Sequence, residues 1–135
     1  MAPPVTLREA LNAIEACLAK AAEQGTNHII TIVDRGGHTL AQARMDKAIR
    51  ASIIISQNKA VTAVLADMPT HYLAEACLPG GELYGCQESS CGNLVIFGGG
   101  FPITRDGEIV GGIGVSGGSV AEDMAVAEAG LGVLQ

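Results

Sequence analysis

The spacing of apolar residues divides the chain into alternating helices and strands. Thr6 and Glu9 form a capping-box pair, in which each side chain serves a backbone amide at a helix start. Leu7, Ala10, Leu11, Ile14 and Leu18 then recur at helical spacing, and Gly25 supplies a stop. His28 to Asp34 is rich in β-branched residues and predicts a strand, with a second from Thr39 to Met45. Arg35-Gly36-Gly37-His38 between them reads as a hairpin turn. Asp46 is placed to cap a helix reaching Ala66 through Ile49, Ile53, Val61, Val64 and Leu65. The run Ile53-Ile54-Ile55 favours strand locally, but the Ala-rich continuation favours helix. Pro69 ends it, and Thr70 is placed to cap a short third helix through Glu75.

Pro79 to Gly92 reads as a polar loop, long enough to suggest a function. Three strands follow, Asn93–Phe97, Phe101–Arg105 and Glu108–Val115, the last two joined by the hairpin signal Asp106-Gly107. Ser119 and Glu122 repeat the capping box and open a final helix through Met124, Val126 and Leu131. The order is helix, two strands, helices, three strands, helix. Tight turns make consecutive strands antiparallel. The expected fold is one α+β domain over residues 1–135, a five-stranded antiparallel sheet with helices on one or both faces.

Composition sharpens this picture. Apolar residues make up 48% of 135, yet there are two Phe, two Tyr and no Trp, so the core must be built from Ala, Val, Ile and Leu. A net charge of −6, with Lys and Arg scattered, argues against nucleic acid as a partner. No apolar run is long enough for a membrane helix and no signal peptide is visible, so a cytoplasmic protein is expected. Cys17, Cys77, Cys86 and Cys91 are then expected to be free thiols, and the lack of a Cys-x-x-Cys pair argues against structural zinc.

Two motifs look like chemistry. Gly112-Ile113-Gly114-Val115-Ser116-Gly117 matches the dinucleotide fingerprint, but one helix later the sequence ends, without the following strand and acidic residue that site needs. Close packing of helix on sheet is the better account. Gly114 to Gly118 also matches a nucleophile elbow, yet His28, His38 and His71 all precede Ser116, contrary to the hydrolase order. Gly98-Gly99-Gly100 is more unusual. It reads equally as a sharp bend before Pro102 and as a place where a flat ligand or another subunit lies on the backbone.

Several segments coincide with one family. Val33-Asp34-Arg35-Gly36-Gly37-His38, Ala43-Arg44-Met45-Asp46, Asn58-Lys59-Ala60, Pro79-Gly80-Gly81 and Leu83-Tyr84-Gly85 occur in order. Phe97 to Ile103 and Gly111 to Gly118 complete the set. Together they resemble the GlcG/HbpS family, also called the haem-degrading domain, and the PduO C-terminal domain. The resemblance implies a profilin-like fold and homo-oligomers, from dimers to octamers. It also implies binding of haem or, as an alternative, a corrinoid, with haem degradation or redox sensing as proposed roles. Thr70-His71 matches a Thr-His pair of the PduO-like branch, which nominates His71 as axial ligand to a metal or as acid/base, with His38 second. Lys59 is a cation on a largely apolar helix, open to a ligand carboxylate or to an internal Asp or Glu. Met45, Tyr84 and Gly98 to Gly100 are candidates to line the pocket. Cys86 and Cys91 depart from the family pattern, and read equally as thiolate ligands to iron and as the sign of a non-haem activity. Three functions stay open: a tetrapyrrole-binding oligomer, a small catabolic enzyme using His71 with Lys59 or Arg44 on a carboxylate, and an accessory assembly protein.

Overall fold

The run Ile29-Ile30-Thr31-Ile32-Val33 has no polar face to offer water, and the chain buries it on both sides. In the computed structural model, which describes residues 1–90 and 92–135, this run is strand β1 (Ile29–Asp34). It pairs with β2 (Thr39–Arg44) on one side; on the other, the hairpin of β3 (Gly100–Arg105) and β4 (Glu108–Ser116) joins through β4. The order is β2-β1-β4-β3, antiparallel throughout.

Helices α1 (Leu7–Gln24) and α4 (Val120–Leu134) cover one face, closing the main core with Ile30, Ile32, Ile113 and Val115. Helix α2 (Ser52–Ala66) covers the other, where Ala60 and Val64 meet Val33 and the Ser56 hydroxyl meets that of Thr31 at 2.8 Å. Small residues set the spacing of both layers. A Cβ on Gly130 of α4 would lie 2.5 Å from Cys17 Sγ of α1, and one on Gly112 of β4 would lie 2.5 Å from the Ala60 carbonyl of α2. On Gly114 it would strike the Ser56 carbonyl. The dinucleotide-like glycines are thus a bed on which α2 rests.

Both capping boxes form: Thr6 and Ser119 each accept from, and donate their backbone N–H to, the Glu three residues on. Gly25 closes α1 in the left-handed conformation. Other expectations are corrected. Leu7 and Leu11 are exposed, and the buried face of α1 is Ala10, Ala13, Ile14, Cys17 and Ala21, whose small residues let Gly130 of α4 approach closely. Asp46 caps nothing. Lys47 takes a positive φ of 68°, which breaks any helix there, and turns carry the chain to a start at Ser52.

The sheet has four strands among the described residues, not five. Residues 93–97 run across α2 rather than beside a strand, and the Val95 amide donates to the Thr62 hydroxyl of α2 at 3.0 Å. Thr70 opens a helical turn (Thr70–Tyr72) that continues as α3 (Leu73–Cys77). Its hydroxyl does not cap that turn but bonds to the start of β3. Within the loop from Pro79 to Gly92, Cys86–Ser90 forms a further helical turn, while Cys91 lies outside the described residues.

Packing this close is sensitive to a single methyl. Gly114→Ala should lower stability to urea unfolding by about 1–3 kcal/mol or more. Gly132→Ala in α4, where nothing lies within 4 Å of the added Cβ, should instead raise it by about 0.4–1 kcal/mol.

Candidate functional site

Because α2 lies directly on the glycines of β4, the Lys59 side chain is driven inward and is fully buried. Its ammonium donates to Asp123 Oδ2 at 3.0 Å and to the Val115 carbonyl at 2.8 Å, and lies 5.0 Å from the centre of the Phe97 ring. Asp123 stands in the first turn of α4, where the helix dipole favours an anion. Its Oδ1 accepts from the Gly118 amide at 2.9 Å and pairs with His28 Nδ1 at 2.9 Å. A carboxylate only accepts, so Nδ1 carries the proton, and Nε2 meets the Thr26 hydroxyl at 2.6 Å. Of the two partners open to Lys59, the structure therefore shows the internal carboxylate. Burial pulls the Lys59 ammonium below its ordinary pKa, and the charge and hydrogen bond of Asp123 oppose that pull.

One layer out, the Thr70 hydroxyl donates to the Phe97 carbonyl at 2.7 Å and accepts from the Gly100 amide at 3.0 Å. This ties the Thr70–Tyr72 turn to the start of β3. Gly98, Gly99 and Gly100 are buried: their missing Cβ atoms leave room for Met124, for Lys59 Nζ and for Thr70. Gly99 also takes a φ of 123°, which only glycine adopts readily. The run is thus a bend, and its backbone is covered by the protein's own side chains.

His71 follows Thr70 and is half-buried. Its ring lies edge-on to Tyr72 at 4.7 Å and tilted against Phe101 at 5.6 Å. Its Nδ1 is buried and finds no hydrogen-bond partner among the described residues. The adjoining Tyr72 forms one wall of an open groove of about 630 Å³, completed by Glu75, Ala76, Leu78, Pro79 and Glu82.

The structure thus gathers Lys59, His71 and Gly98 to Gly100 around the start of β3, but spreads the other sequence candidates. His38 sits exposed on the β1–β2 turn, 3.5 Å from Asp34, whose carboxyl the His38 and Gly36 amides hold below its usual pKa. Met45 lies at the opposite end of that hairpin. Its sulfur accepts the His28 amide at 3.3 Å, and it borders a second open groove of about 420 Å³ with Arg44, Asn27 and Leu18. Tyr84 is exposed on the loop after the first groove, and Cys86 lies on the same loop with its Sγ 2.7 Å from Cys77 Sγ. No three His, Cys, Asp or Glu side chains among the described residues converge as a metal site. Sequence reasoning missed the roles of His28 and Asp123. The available signals were a histidine heading an apolar strand and a second acid beside the capping Glu122.

A four-stranded antiparallel sheet between two helical layers defines a small α+β domain. The chain belongs to the family of HbpS-like haem degrading proteins, whose model matches residues 5–132. It is 42% identical over 127 residues to a 15.0 kDa protein of Citrobacter freundii from the dhaT-dhaS intergenic region, covering 94% of this chain and 89% of that one. The crystal structure of Klebsiella pneumoniae protein ORFY superposes with a TM-score of 0.96 at 37% identity, covering 99% and 92% of the two chains. A crystal structure of a PduOC:heme complex superposes with a TM-score of 0.95 at 32% identity, covering 98% and 96%. The corrinoid adenosyltransferase PduO of Citrobacter freundii is 39% identical over 119 residues, but this chain spans only 36% of its length.

Breaking the buried pair from one side should be far worse than removing it whole. Asp123→Ala should cost about 3–5 kcal/mol in chemical unfolding, and the double variant with Lys59→Met should recover part of that loss. The depressed Lys59 pKa also fixes a sign. The unfolded chain holds that proton more tightly, so the cost of charging Lys59 is fully present below its folded pKa. It disappears as pH rises towards the ordinary value of 10.5. The stability of wild type relative to Lys59→Met should therefore rise with pH across that alkaline window, as urea midpoints at several pH values will show.

Proposed function

We propose that the protein binds haem or a related tetrapyrrole, with His71 as the axial ligand. The observation that carries this reading is His71 itself: a half-buried imidazole packed against two aromatic rings, next to the Tyr72 wall of an open groove, with ring nitrogens that no described residue engages. A histidine kept for packing usually satisfies its ring nitrogens, as His28 does. The surroundings fit a flat, largely apolar ligand, since Tyr72, Leu78, Leu83, Tyr84 and Phe97 all present exposed apolar surface in this part of the chain. The structural likeness to the PduOC:heme complex and membership of the HbpS-like family support the same choice. When bound, the iron would supply redox and ligand-binding chemistry, while the protein's residues hold and shield it.

Gly98 to Gly100 serve indirectly, by setting the bend that places Phe97 and Phe101 on either side of the Thr70 anchor. Lys59 has no charge to spare for a propionate or a substrate carboxylate, and Arg44 stands by the second groove. This counts against a carboxylate-directed enzyme built on those cations. We further propose a cytoplasmic homo-oligomer, dimer to octamer. Ile54 and Leu65 leave the outer side of α2 apolar and exposed, as a face used between copies would be.

Titration of the purified protein with haem should give a saturable Soret shift, weakened about tenfold or more in His71→Ala. An unchanged shift in that variant would remove His71 from the role. A response to cobalamin but not to haem would move the ligand to the corrinoid class.

A further inference from the structure

The geometry points to Cys77 and Cys86 as an oxidisable dithiol that closes reversibly to an intramolecular disulfide. This rests on the loop itself and not on the tetrapyrrole reading. Cys77 ends α3 and is buried, whereas Cys86 opens the Cys86–Ser90 turn and is half-exposed. Their sulfurs stand 2.7 Å apart, closer than non-bonded sulfurs normally pack and near enough to bond after a small rotation.

Backbone contacts that do not involve the thiols create this approach. The Leu83 amide donates to the Ala76 carbonyl at 2.7 Å, the Gly81 amide to the Leu78 carbonyl at 2.8 Å, and the Cys86 amide to the Leu83 carbonyl at 2.9 Å. Gly81 lets the loop fold back, since a Cβ there would collide with the backbone at Ala76. The thiols are therefore held together before any oxidation, which gives their reaction a high effective concentration.

The accessible Cys86 takes the first step. Its thiolate attacks one oxygen of a hydroperoxide, breaking the O–O bond and forming a sulfenic acid with release of the alcohol or water. The Cys77 sulfur then attacks that sulfenyl sulfur, the S–O bond breaks, and the departing hydroxyl leaves as water with the proton from Cys77. With hydrogen peroxide the sum is two thiols and one peroxide giving one disulfide and two waters. A dithiol reductant reverses it by exchange. Burial and the hydrogen bond to Cys86 push the Cys77 thiol up to about 11, which leaves the first attack on peroxide to the half-exposed Cys86. Cys17, sealed between α1 and α4 and pushed up to about 12 by burial, stays out of this chemistry.

The sequence allows a direct test on the intact protein. Cleavage after Glu75, Glu82 and Glu88 separates residues 76–82, which carry Cys77, from residues 83–88, which carry Cys86. After brief treatment with hydrogen peroxide, acid quench and alkylation under denaturing conditions, mass spectrometry should find these two peptides joined and two hydrogens lighter than their sum. The link should vanish with dithiothreitol and in Cys86→Ser, but persist in Cys91→Ser. Alkylated Cys77 and Cys86 after peroxide treatment, a bridge from either to Cys91, or a bridge between two chains would each overturn the assignment.

Discussion

A lysine ammonium with no exposed surface is the constraint around which the rest of this structure is arranged. Left alone, such a charge would be expelled or neutralised, so its partners must be delivered from elsewhere in the fold. The start of α4 supplies Asp123, the end of β4 supplies a carbonyl, and the residue ahead of β1 supplies His28 to hold the carboxylate. Three separate segments therefore have to dock in one register before the lysine is satisfied. A buried pair of this kind adds little stability over an apolar equivalent. It does penalise any packing in which α2 or α4 slides along the sheet.

The same arrangement decides what the surface can offer. With α2 seated on bare glycine backbone, the start of β3 has to bend sharply to pass it, and Thr70 secures that bend from above. His71 and its aromatic neighbours stand on this secured base. The groove is thus built outward from a closely packed interior, and the segment after α3 supplies its outer wall.

Much of this was legible in the sequence where chemistry is local. The two capping boxes, the Gly25 stop and the Asp106-Gly107 hairpin each depend on residues within a few positions, and each formed as read. The family resemblance was legible as well, because its motifs are short and ordered along nearly the whole chain. What stayed hidden depends on distant partners. Leu7 and Leu11 look like a core stripe, but the face of α1 that meets α4 is the one carrying Ala13 and Cys17. Residues 93–97 look like a strand, but a threonine hydroxyl more than 30 positions earlier takes an amide that a neighbouring strand would have used. Asp46 looks like a cap until Lys47 adopts a left-handed turn. At the candidate site, His71 could be nominated from its motif. The pairing of Lys59 with Asp123 and His28 spans up to 95 positions and has no local signature.

The placement of the tyrosines has a spectroscopic consequence. The chain has no tryptophan and two tyrosines, Tyr72 on the groove wall and Tyr84 on the loop beyond it, both well exposed. Its intrinsic ultraviolet emission therefore originates wholly from this one region of the surface. Light from the protein reports on the groove and its loop without any label, and the helices on either side of the sheet contribute no background.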